Sequence, residues 1–201
     1  ELIESSPDLK VISVYGVGYD NVDIEAARRQ GIVVTNLPHE VTDSTAELAI
    51  ALMLACARRL VEADAYVRSN NPFRWTADNM MGTTLAGKSL GLIGFGRIGQ
   101  RVAEIGRALG MRPFYFARTR RPEAEARIDA AYLSLPELLT EADVLSLHVP
   151  STPETLHLID QDALARMKES AILINTARGN VVDEAALVEA LKNGRLRAAG
   201  L

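Results

Sequence analysis

Cysteine is almost absent from this 201-residue sequence: Cys56 stands alone and has no internal partner for a disulfide. That fits a reducing, cytoplasmic compartment. Cys56 lies in an apolar helical stretch, where a free thiol is expected to pack as a small hydrophobe. Long hydrophobic runs are also missing. The longest, Leu48 to Ala57, has ten residues, half of the roughly 20 that span a bilayer, so no membrane association is expected. The opening ELIESSPDLK is polar and charged, unlike a signal peptide. A large excess of one sign of charge is missing too: 22 Lys and Arg stand against 26 Asp and Glu, and the net value of −4 leaves no electrostatic footprint for nucleic acid. Neither repeats nor low-complexity tracts occur.

What is present is a steady alternation of short apolar runs and helical patterns. Val11–Val14 and Ile32–Thr35 read as strands flanking a helix over Asp23–Gln30. Pro38 closes that unit. Ser44 and Glu47 match a capping box before an apolar run, predicting one helix from Ser44 to about Val67, buried on most sides in its first half. Asn70-Asn71-Pro72 stops it, and a polar connection containing Trp75 runs to about Gly87. Further strands are predicted at Ser89–Ile93, Arg112–Phe116, Val144–His148 and Ala171–Asn175, with a last one beginning near Ala198. Helices fall at Ile98–Leu109, Leu135–Glu141, Gln161–Met167 and Asp183–Lys192. Near-continuous apolar strands separated by helices imply an α/β fold with a doubly wound parallel sheet. The chain stops inside a strand-like run, as a segment of a longer protein would.

Gly94-Phe95-Gly96-Arg97-Ile98-Gly99 fits G-x-G-x-x-G between a strand and a helix. Gly94 permits the tight turn, Gly96 lets a diphosphate reach the backbone, and Gly99 lets helix and strand pack closely. The helix N-terminus then faces the anion. This is the fingerprint of a Rossmann-type nicotinamide dinucleotide-binding domain. NAD-specific folds carry an acidic residue about 20 residues on, at the end of the second strand. Here Ala117 stands 18 residues after Gly99, and Arg118, Thr119, Arg120 and Arg121 follow. Arginines can grip a 2′-phosphate that a carboxylate would repel. NADP(H) is therefore favoured, with NAD(H) left open.

His148 closes an apolar strand on the side where such sheets bind ligands. Its possible roles are cofactor contact, packing and, least favoured, general acid. His157 is expected to be exposed, and His39 carries no assignment. Arg178 follows the next strand, in Asn175-Thr176-Ala177-Arg178-Gly179. It could hold a substrate carboxylate and polarise the adjacent carbonyl, or form an ion pair with Asp183 or Glu184.

Four islands, in order and spacing, resemble the D-isomer-specific 2-hydroxyacid dehydrogenase family: Val17–Asp23 (VGYDNVD), Leu90–Gln100 (LGLIGFGRIGQ), His148–Pro150, and Ala171–Asp183 (AILINTARGNVVD). The FARTRR stretch is most like the glyoxylate/hydroxypyruvate reductase branch, which includes 2-ketoaldonate reductases. The resemblance implies that Arg178 is the catalytic arginine holding a 2-oxo acid, with the backbone N–H groups of Val17 and Gly18 on the same carboxylate. It places Arg97 and Ile98 at the diphosphate, and Arg118, Thr119 and Arg121 at the 2′-phosphate. His148, Val149, Thr176 and Ala177 fall on the cofactor side. Residues 1–41 would be the tail of a flavodoxin-like substrate domain and residues 42–201 the dinucleotide-binding domain, with the helix from Ser44 forming a homodimer. No metal is implied.

The family's acid–base pair, a glutamate and a histidine, falls beyond Leu201. The segment by itself is thus expected to be inactive or nearly so; turnover above about 1% of a full-length homologue's would contradict this, since acid–base catalysis contributes roughly 10²–10⁴-fold. Rival readings are a non-enzymatic dinucleotide sensor of corepressor type and a related dehydrogenase of another small anion, such as phosphite.

Overall fold

A computed structural model describes residues 2–69, 72, 76 and 79–201. The expected connection around Trp75, and Asn70 and Asn71 of the helix stop, lie outside these residues. Two parallel sheets form. The smaller pairs β1 (Val11–Ser13) with β2 (Val33–Thr35) around α1 (Ile24–Arg29). Asp23 caps α1 by accepting from the Ala26 N–H at 2.9 Å, the usual service of an aspartate at that position.

Next come α2 (Thr42–Arg58) and α3 (Leu60–Arg68), then the larger sheet: β3 (Ser89–Ile93), α4 (Arg97–Ala108), β4 (Arg112–Phe116), α5 (Pro122–Ile128), β5 (Ala131–Tyr132), α6 (Leu135–Glu141), β6 (Val144–Leu147), α7 (Gln161–Arg166), β7 (Ile172–Asn175), α8 (Glu184–Lys192) and β8 (Ala198–Gly200). Its order is β5-β4-β3-β6-β7-β8, every pairing parallel. This is the expected Rossmann-type doubly wound sheet. Side chains alternate across it, as the strand period of two requires. Leu90, Leu92, Val144, Ile172 and Ile174 join the core beneath α2 and α4. Ile93, Leu145, Leu147 and Leu173 join the core beneath α6, α7 and α8. With both faces covered, β3, β6 and β7 are buried at every residue.

The helix expected from Ser44 differs in three ways. It begins at Thr42, and the Ser44 hydroxyl donates back to the Val41 carbonyl instead of capping. Asp43, in the first turn, pairs with Arg101 of α4 at 2.7 Å. A tertiary contact thus sets the start, and the reciprocal capping box occurs at Ser134 and Glu137 of α6. The helix also breaks at Arg59, whose φ is +55°. The returning chain supplies the reason: the Thr83 N–H donates to the Ala57 carbonyl at 2.7 Å, taking a group that a continuous helix would need. Finally, the first half is not buried on most sides, since Leu48 is 54% exposed. Cys56 packs against the core, and burial pushes its thiol upward. The segment α5–β5 has no counterpart in the sequence expectations, although Pro122 at its first helical position, followed by Glu123, is a recognised start signal.

Candidate functional site

The order of the larger sheet reverses between β3 and β6, so the carboxyl ends of these strands flank the crevice where such sheets take ligands. Gly94 leaves β3 with φ +94°, and a Cβ there would lie 2.5 Å from the His148 carbonyl oxygen. A Cβ on Gly99 would lie 2.3 Å from the Gly94 carbonyl oxygen. Both glycines are required by backbone packed on backbone. Gly96 is different: it is exposed, and a Cβ on it would meet nothing within 4 Å. It also stands at the start of α4 without any side-chain cap. Room in front of uncapped helical N–H groups, at the positive end of the dipole, is what a diphosphate needs. The residues present fit a dinucleotide.

Phe95, between the first two glycines, stacks on Tyr115 of β4, with ring centroids 3.9 Å apart. The fully buried Tyr115 accepts from the Arg121 N–H at 2.7 Å and donates to Glu125 at 2.6 Å. Glu125 in turn takes the Arg120 guanidinium through both oxygens at 2.8 Å. The basic run therefore divides. Arg120 is committed to the scaffold. Arg118, Thr119 and Arg121 are exposed, and neither Arg118 nor Arg121 is ion-paired among the described residues. Sequence reasoning did not single out Tyr115 or Glu125; the clue was a tyrosine inside an apolar strand, whose hydroxyl must find partners when buried.

His148 lies beneath the glycine turn. Its Nε2 is 2.9 Å from the Ser146 hydroxyl, and its Cδ2 would be 3.6 Å from a Cβ on Gly99. Burial pushes its imidazole down to about 4, so it is neutral at physiological pH and ill-suited to donate protons there. The folded chain binds this proton more weakly than the unfolded chain, whose histidine titrates near 6.5. Stability should therefore rise with pH between about 4 and 6.5. We expect the protein to be about 2 kcal/mol less stable at pH 5 than at pH 7 from this group. Urea titrations at the two pH values, on the parent and on His148→Asn, check this; an unchanged difference in the variant contradicts it. His157 is exposed, as expected, and donates its backbone N–H to the Asn180 carbonyl. His39 is exposed.

Across the crevice, Asn175 ends β7 and folds the next turn around itself. Its Oδ1 accepts from the Ala177 N–H and its Nδ2 donates to the Arg178 carbonyl. This turn aims Arg178 at the first, smaller unit. The guanidinium meets Asp20 at 2.8 to 3.0 Å, and a Cβ on Gly18 would lie 1.7 Å from Arg178 Nη2. Val17, Gly18 and Arg178 thus converge. The ion pair weighed with Asp183 or Glu184 is not the one formed: Asp183 caps α8. Asp20 was the unrecognised partner, although it lies two residues after Gly18 within a quoted motif. The Thr176 hydroxyl is buried without a hydrogen-bond partner among the described residues. Thr176, Ala177 and Arg178 line a cavity of about 170 Å³. Val149 packs against the glycine turn, its Cγ1 3.0 Å from where a Cβ on Gly94 would lie. Among the described residues no cluster could hold a metal ion.

A doubly wound sheet with a glycine turn at its switch point and an arginine across the crevice defines a Rossmann-type dinucleotide-binding protein. The particular family follows from sequence comparison. Residues 50–201 match the model for the family described as D-isomer specific 2-hydroxyacid dehydrogenase, NAD binding domain, and the chain belongs to this family. It is 53% identical to a glyoxylate reductase from Thermococcus litoralis, covering all of this chain and 62% of that protein. It superposes on the TT0316 protein from Thermus thermophilus with a TM-score of 0.92 and 51% identity, over 100% of this chain and 62% of that one. For D-lactate dehydrogenase from Aquifex aeolicus, solved with NAD and lactic acid, the values are 0.91 and 38%, over 100% and 59%. The chain spans about three fifths of the length of the curated relatives it matches.

Proposed function

We propose that this chain is the coenzyme-binding part of an NAD(P)-dependent D-2-hydroxyacid dehydrogenase that reduces a small 2-oxo acid of the glyoxylate or hydroxypyruvate type, with NADP(H) preferred. The supporting observation is the convergence of two features on one crevice. Gly96, beyond β3, opens the N-terminus of α4 to an anion, and Arg178, beyond β7 at the same carboxyl edge of the parallel sheet, meets Gly18.

In this reading Gly94, Gly96, Arg97, Ile98 and Gly99 form the diphosphate cradle, and Arg118, Thr119 and Arg121 reach the 2′-phosphate. His148, Val149, Thr176 and Ala177 wall the nicotinamide side. The reduced nicotinamide, when bound, supplies the hydride. Arg178 and the N–H groups of Val17 and Gly18 hold the substrate carboxylate, and the arginine stabilises negative charge growing on the neighbouring oxygen. Residues 1–41 belong to a substrate domain and residues 42–201 to the dinucleotide domain. A homodimer contact along α2, where Leu48 is exposed, belongs to the same reading.

The test is reduction of glyoxylate and hydroxypyruvate by the full-length protein, followed by NADPH absorbance. Arg178→Gln should lower kcat/KM about 10²–10³-fold with little change in NADPH affinity. Cofactor binding without turnover of any small 2-oxo acid would contradict this proposal and favour a sensor.

A further inference from the structure

We infer that Asp20 is the positioning residue of Arg178: it holds the guanidinium by one edge and leaves the other edge to the substrate carboxylate. The inference rests on the reading of Arg178 proposed above. A guanidinium has five N–H donors in a rigid plane. Nε and Nη2 both donate to Asp20, at 2.8 to 3.0 Å. Nη1 donates to the Ala177 carbonyl at 2.8 Å. One N–H on each of Nη1 and Nη2 remains. Such a pair is the fork that takes a carboxylate through both oxygens.

The clamp is built from both ends of the chain, since Asp20 and Arg178 are 158 positions apart. It is also tight. Gly18 brings its backbone against the guanidinium so closely that no other residue would fit without moving it, a Cβ there lying 1.7 Å from Nη2. The loop carrying Asp20 is itself held. Asn36 Nδ2 donates to the Val17 carbonyl at 2.9 Å, the Leu37 N–H to the Gly16 carbonyl at 2.9 Å, and the Val22 N–H to the Tyr19 carbonyl at 3.0 Å. An unheld arginine has several rotatable bonds to order whenever a ligand binds. Here that ordering is done before the ligand arrives. The alternative role for Asp20, as an internal carboxylate competing with substrate, would call for it to occupy the end of the fork instead of its side.

The experiment uses the full-length protein saturated with NADPH and titrates it calorimetrically with oxamate, an unreactive 2-oxo acid analogue. Three variants are compared with the parent: Asp20→Ala, Asp20→Asn and Arg178→Gln. Asp20→Ala should weaken oxamate about tenfold or more. Asp20→Asn should stay within about threefold of the parent, because its amide oxygen can still accept from Nε and Nη2. Arg178→Gln should abolish detectable binding. NADPH affinity should be unchanged throughout, and thermal melting of the Asp20 variants should match the parent, since Asp20 is exposed.

Oxamate binding as tightly or more tightly to Asp20→Ala would overturn the inference, as competition predicts. Equal losses in Asp20→Ala and Asp20→Asn would also overturn it, because charge and not orientation would then be decisive. If Arg178→Gln still bound oxamate, the proposed role of Arg178 would itself have failed, and the inference with it.

Discussion

Gly96→Asp should bind NADPH and NADH about 100-fold or more weakly, yet unfold no more readily than the parent. The backbone at Gly96 has φ −78° and ψ −164°, an extended conformation open to any residue, and a Cβ there has free space. Aspartate is a favoured residue at the start of a helix, where its side chain accepts from helical N–H groups. Stability should therefore hold or rise by a few tenths of a kcal/mol, since glycine is itself a tolerated cap. Those same N–H groups would then be spent, and a fixed carboxylate would face the diphosphate. Losing two charge-assisted hydrogen bonds costs on the order of 3–6 kcal/mol. Gly99→Ala should behave in the opposite sense. Its Cβ would strike the Gly94 carbonyl, and overpacking of this kind costs roughly 1–3 kcal/mol of stability. Calorimetric binding and thermal melting, run on both variants, separate the two effects. Normal affinity in Gly96→Asp would contradict the assignment of the turn.

Arg118→Ala combined with Arg121→Ala should raise the Kd for NADPH about 100-fold and change that for NADH less than about threefold. Both side chains are exposed, and neither makes an ion pair among the described residues; Arg118 gives Glu154 only a longer-range coulombic attraction, so removing them takes little from the fold. Each hydrogen bond from a charged donor to a phosphate contributes about 1.5–3 kcal/mol. The NADPH advantage should also shrink as salt rises, since exposed charges are screened. Arg120→Ala is the useful control. It leaves Glu125 without its bidentate partner and should affect both cofactors alike, through the shape of the loop. Parallel titrations with the two cofactors read all of this. Equal loss of NADPH and NADH in the double variant would contradict the 2′-phosphate assignment.

The larger sheet was legible because its strands announce themselves. Ser89–Ile93 and Arg112–Phe116 are short apolar runs between helical patterns, and their bounds match the structure to the residue. The glycine turn was legible because each glycine has a separate backbone reason, and two of those reasons are steric clashes of 2.5 Å or less. The helix expected from Ser44 departs from its pattern where long-range contacts decide. Arg101 reaches its first turn and Thr83 takes a carbonyl of its last turn, and no local pattern encodes either. The strand β5 has two residues, too few to show a period. At the site, Arg178 stood out as a cation beside a glycine. Its partner did not, because Asp20 is one of many carboxylates until the fold joins positions 158 apart.

The most direct measurement is a crystal structure of the protein soaked with NADPH. The diphosphate oxygens should lie about 3 Å from the backbone N–H groups of Arg97 and Ile98, with the 2′-phosphate between Arg118 and Arg121. Coenzyme bound elsewhere on the sheet, or no coenzyme at the start of α4 at saturating concentration, would contradict the account.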